Sequence, residues 1–176
     1  MTPMRFAKLE PADLFLFFDE SGAFFALLAT DPTQNGERYI APFSAVLSQH
    51  RGPTLMVPKN STVISFGKEY SLRLPSDASG WRVERPSDDV PCILITDDGR
   101  RYLRVNPVPN YLGGIDQPAC YVDMKSGVIN AYGSGIFQQI VQPAGIIAFA
   151  VKWEILTTEK EPRLIITQPD VSDLAR

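Results

Sequence analysis

The chain is poor in the residues that most catalytic and metal centres use. Of its 176 residues one is histidine, His50, and two are cysteine, Cys92 and Cys120. A Ser-His-Asp triad, a Cys-His dyad or a histidine-rich metal site would each have to be built on that one imidazole. The cysteines stand far apart and form no Cys-x-x-Cys pair, which argues against a structural zinc site. Two cysteines are also too few for a disulfide-stapled secreted scaffold. The Gly-x-Ser-x-Gly nucleophile elbow, the phosphate loop and a Gly-x-Gly-x-x-Gly turn between strand and helix are all missing, so no cofactor is expected.

A basic excess is missing too. The chain carries 17 Lys and Arg against 20 Asp and Glu, a formal charge of −3. Nucleic-acid binders draw most of their affinity from phosphate contacts, so this balance speaks against that class of partner. Arg100, Arg101 and Arg104 do cluster, but Asp97 and Asp98 precede them, and the group reads as a solvated hairpin end. No apolar run is long enough for a transmembrane helix. The best stretch, 145–151, falls far short of the roughly 20 residues needed. The N-terminal apolar run Leu14–Phe18 is cut by Asp19 and Glu20, unlike the unbroken stretch of a secretion signal. A cytoplasmic protein with no membrane partner is the expectation.

What is present is β-structure. Apolar residues make up 44% of the chain, while 15 prolines and 12 glycines punctuate it throughout. Short apolar runs between evenly spaced turn residues predict an all-β fold, an antiparallel sandwich or squat barrel, over a single domain spanning 1–176. In "GIIAFAVKWEIL", Ile147, Phe149, Val151, Trp153 and Ile155 alternate with Ala148, Ala150, Lys152 and Glu154. That period of two predicts one long half-buried strand, paired with the later "RLIITQ". "LFLFF" and "AFFALLA" flank a turn at Asp19–Gly22. Asp98-Gly99 predicts a two-residue hairpin turn, which opposes Leu94 to Leu103 and points Cys92 into the core. One stretch has helical spacing: Phe43, Val46, Leu47 and His50 predict a short helix over 42–51, with Pro42 in its first turn and Gly52 ending it.

The segment "CYVDMKSGVINAY", Cys120–Tyr132, is the richest candidate for function. A two-residue turn at Ser126-Gly127 divides it into two faces. Cys120, Val122, Met124, Ile129 and Ala131 form a core face. Tyr121, Asp123, Asn130 and Tyr132 form an outer one. Tyrosines give rigid amphipathic contact area, and Asp and Asn give directional hydrogen bonds. The reading is a non-catalytic binding protein that uses this sheet face or a barrel mouth to contact a small molecule, a sugar or a protein partner, with Asp116 of "YLGGIDQP" beside it. Two rivals stand next to it. One is a small hydrolase working through the carboxylates of Asp116 and Asp123. The other is an assembly subunit whose apolar strands meet in a homo-oligomer.

Overall fold

The structure, a computed structural model, describes residues 2–19, 22–31, 37–43, 60–82, 92–105, 120–132, 147–158 and 164–167. Those residues form three antiparallel sheets, and the only helical elements among them are two three-residue turns, Phe6–Lys8 and Ala78–Gly80. The first sheet has the order β1 (Thr2–Arg5), β5 (Thr62–Gly67), β2 (Leu14–Asp19), β3 (Gly22–Asp31), β4 (Glu37–Pro42). The second runs β11 (Ile129–Tyr132), β10 (Cys120–Asp123), β9 (Arg101–Val105), β8 (Cys92–Thr96), β12 (Ile147–Ala150), β7 (Trp81–Arg82). The third runs β14 (Leu164–Thr167), β13 (Glu154–Thr157), β6 (Tyr70–Arg73). The all-β sandwich-like architecture agrees with the sequence.

The β2–β3 hairpin forms where the apolar runs placed it, with Leu14 opposite Leu27 and Asp19 opposite Gly22. Both of its faces are buried. Leu14, Leu27 and Ala29 point into a core shared with the other sheets, whereas Phe15, Phe17 and Leu28 join a second cluster closed by Phe6 and Leu9. Arg38 holds that closing segment in place, its guanidinium donating to the carbonyls of Phe6, Ala7 and Leu9. Two buried faces explain the unbroken "LFLFF" and "AFFALLA" runs, since alternation arises only where one face meets water.

The second sheet is built the same way. Trp81, Ala150, Ile93, Leu103, Val122 and Ile129 lie in register across all six strands, and the buried members of this row supply one wall of the shared core. Its reverse face carries Cys92, Leu94, Tyr102, Tyr121 and Phe149 in another buried cluster. Each fully buried aliphatic or aromatic side chain of this kind contributes about 1.5–3 kcal/mol.

Three sequence expectations change here. The long strand predicted over 147–155 is broken. The amide of Val151 donates to Gly80 O at 2.9 Å, and the chain bends through Val151–Trp153 from the second sheet into the third. Only β13, its second half, pairs with β14. The bend also swaps faces: Phe149 and Val151 belong to the reverse cluster, but Trp153 and Ile155 belong to the shared core, where Trp153 meets Phe43 edge-on at 5.1 Å. The helix expected over 42–51 does not begin at Pro42, which is the last residue of β4; the amide of Phe43 continues the ladder by donating to Phe25 O. The remainder of that stretch, His50 included, lies outside the described residues. Finally, Arg104 is not part of a solvated hairpin end; it is 1% exposed, on the reverse face of the second sheet between Cys92 and Tyr121.

Candidate functional site

Two hairpin turns and one strand edge surround an open groove of about 890 Å³. The first turn joins β8 to β9. Thr96 and Arg100 close it, with the Gly99 amide donating to Thr96 O and Gly99 itself at φ +80°. This is a type I turn over Asp97-Asp98 followed by a glycine bulge, three residues rather than the expected two. The extra residue slides the register by one, so Leu94 opposes Tyr102 and Cys92 opposes Arg104. Cys92 is buried, as expected.

The second turn lies in the stretch 120–132. Its loop has four residues instead of two: Asp123 closes against Val128, and the Gly127 amide donates to Asp123 O at 2.7 Å. Asp123 Oδ1 accepts from the amides of Lys125 and Ser126 at 2.7 and 3.0 Å. The loop is a single turn closed by the i to i+4 hydrogen bond from Gly127 to Asp123, with the Asp123 carboxylate capping its start and a left-handed glycine, φ +71°, ending it. Its tip is buried. Gly127 O accepts from the Thr30 amide, and a β-carbon on Gly127 would stand 2.3 Å from Ala12 N and 2.8 Å from Leu28 O. Thus the turn is docked on the first sheet.

The third wall is β6. Tyr70 reaches across the meeting point of the sheets, its hydroxyl 3.5 Å from Ala12 O and 3.4 Å from Met124 O. Burial, and secondarily the negative charge of Asp13, push its phenol up to about 12. It is therefore a neutral donor at any ordinary pH.

The charges on the groove are unequal in their commitments. Asp98 accepts from the Thr96 hydroxyl and pairs with Arg100 at 2.7 Å. The Thr96 hydrogen bond, supported by Arg100, holds its carboxyl below the usual carboxylate range. Asp123 is occupied by its own turn. Lys68 lies 3.6 Å from Glu10. Arg101 and Lys125 are exposed and have no ion-pair partner among the described residues.

Of the candidate binding residues named from sequence, Asp123 lines this groove. Tyr121 is 3% exposed, packed in the reverse cluster of the second sheet, so its assignment to an outer face is overturned. Asn130 pairs with Tyr121 across the ladder. A register shift between Cys120 and Tyr121 then sets Tyr132 opposite Cys120, so the two tyrosines are not cross-strand partners. Asp116 lies outside the described residues. Sequence reasoning missed Lys68, Tyr70, Arg101 and Lys125. A local signal existed for the last two, since each lies two residues from a turn glycine, Gly99 or Gly127, but nothing local says that the two turns meet.

No group of three or more His, Cys, Asp and Glu among the described residues is placed to hold a metal ion. No helix among them is long and apolar enough to cross a membrane. No family model, curated protein or solved structure matches the chain.

Proposed function

We propose that this chain is a non-catalytic binding protein that takes its ligand, a small molecule, a sugar or a protein segment, in the groove between β6 and the two hairpin turns. The observation that carries the reading is the division of labour among the groove's charges. Both carboxylates are engaged in holding their turns, Asp98 by the Thr96 hydroxyl and Arg100 and Asp123 by the amides of Lys125 and Ser126, so neither is placed as a free acid or base. The cations Arg101 and Lys125 are left over, and they line the same groove as Tyr70. An open concave surface with a few convergent polar groups is what a recognition site requires.

A fragment screen read by amide NMR tests it. Fragments are expected to shift resonances of residues 68–72, 98–101 and 123–125 together. Shifts gathered elsewhere on the molecule, with these three segments silent, would remove the groove from consideration.

A further inference from the structure

The groove is bounded on one side by β6, whose outer edge is paired by no strand among the described residues. β6 pairs with β13 through Glu154 opposite Arg73 and Ile155 opposite Leu72. Among the described residues no strand pairs with its other side. The Thr158 amide donates to Glu69 O, so in an antiparallel ladder the Glu69 carbonyl and the backbone groups of Ser71 and Arg73 turn toward β13. The N–H and C=O of Tyr70 and Leu72 then point away from it. The groove is lined by β6 but not by β13, which puts those unpaired groups on the groove side. An exposed edge of this kind is a template for another strand.

Arg101 and Lys125 line the same groove. They are contributed by two different hairpins, and both lack a carboxylate partner among the described residues. Natural edge strands are often protected by charge; here the unpaired charges line the groove, where they would meet an occupant. Resting on the binding reading above, we infer that the ligand is an extended acidic peptide segment, which adds to β6 as a strand and sets its carboxylates against Arg101 and Lys125. Backbone pairing with Tyr70 and Leu72 would give the segment its direction and register, and the two cations would select for acidic sequence.

The probe is a short fluorescein-labelled peptide of alternating Glu and Val, followed by anisotropy against the full chain. Saturable binding is expected. It should weaken by about tenfold or more, equivalent to at least about 1.4 kcal/mol, in the double variant Arg101→Glu with Lys125→Glu. Because both side chains are exposed, the thermal melt of that variant should match the parent and show that it folds. A peptide of the same sequence, N-methylated at alternate residues, should weaken similarly, because it keeps the charge and loses one edge of N–H donors. Equal binding by an alternating Lys and Val peptide overturns the inference, as does an unchanged affinity in the double variant or for the N-methylated peptide. An oligothymidylate that competes with the acidic peptide at equal affinity also overturns it, by assigning the cations to phosphate. If the acidic peptide fails while fragments still perturb the groove, the binding reading stands and the peptide inference falls; if neither perturbs it, both fall.

Discussion

At the scale of single residues, the two turn glycines have the same backbone need and different surroundings. Gly99 and Gly127 both take φ in the left-handed region, which costs a side-chain-bearing residue about 1–2 kcal/mol. A β-carbon on Gly99 meets nothing within 4 Å, while one on Gly127 meets the backbone of Ala12, Leu28 and Pro11. Gly99→Ala should therefore lower stability by about that conformational amount. Gly127→Ala should lower it by clearly more, because backbone cannot rotate away as a side chain can. Chemical denaturation of the two variants side by side checks the order, and equal losses would show that the docked turn yields freely. Tyr70 gives a second residue-scale expectation. Its phenol is raised from the ordinary value of 10.0 to about 12 by burial and by Asp13. Both folded and unfolded chains hold the proton below pH 10, so Tyr70 adds no pH dependence there. Between pH 10 and about 12 the unfolded chain releases it first, and stability falls. Tyr70→Phe should show a shallower alkaline decline than the parent across that window in urea midpoints taken at each pH. A decline of equal steepness would mean the hydroxyl is better solvated than its position among Ala12 O and Met124 O implies.

At the scale of elements, the second sheet decides what the 120–132 hairpin is. Its alternation into two sets was legible, and Val122 and Ile129 do face the shared core. The set containing Tyr121 looked like a surface only because it holds polar atoms. In the sheet it joins Cys92, Leu94 and Phe149 in a buried layer. Tyr121→Ala should thus cost about 3–5 kcal/mol, the range for emptying a buried aromatic site, and should be read as a fall in melting temperature rather than a loss of binding. A near-unchanged melt would restore the outer-face reading. The same two-sided burial explains the register error at Asp98-Gly99. A one-residue slip normally exposes apolar side chains and is penalised. Here Ile93, Leu94, Leu103 and Tyr102 are all buried, so hydrophobic pattern could not choose between a two-residue and a three-residue turn. The Thr96 hydroxyl on Asp98 and the left-handed Gly99 made that choice locally.

At the scale of the whole molecule, the three sheets are joined by one core. Leu14 and Ala41 come from the first sheet, Ile93 and Val122 from the second and Ile155 from the third, and Trp153 sits among them at the bend. The docking of Gly127 on Thr30 and of Tyr70 on Ala12 and Met124 ties the same junction by hydrogen bonds. Unfolding should therefore be a single transition, with tryptophan fluorescence and far-ultraviolet circular dichroism giving coincident midpoints. A separate early change at the tryptophans would mean that the third sheet detaches on its own.

The sequence by itself determined the class of fold, the β2–β3 hairpin, both hairpins of the second sheet, and the burial of Cys92. These follow from local physics: turn residues set where the chain reverses, and apolar runs set what must leave water. Only the tertiary structure decided which faces are interior, because a polar atom on a strand does not reveal whether a second layer will cover it, as Tyr121 and Arg104 demonstrate. It also decided where the strand 147–157 breaks, since Val151 changes course to reach Gly80, a residue 71 positions away. The groove belongs to the same category. Lys68, Tyr70, Arg101 and Lys125 come from three segments with no local relation, and they share one surface only because Gly127 packs under Ala12 and draws the second sheet against the first.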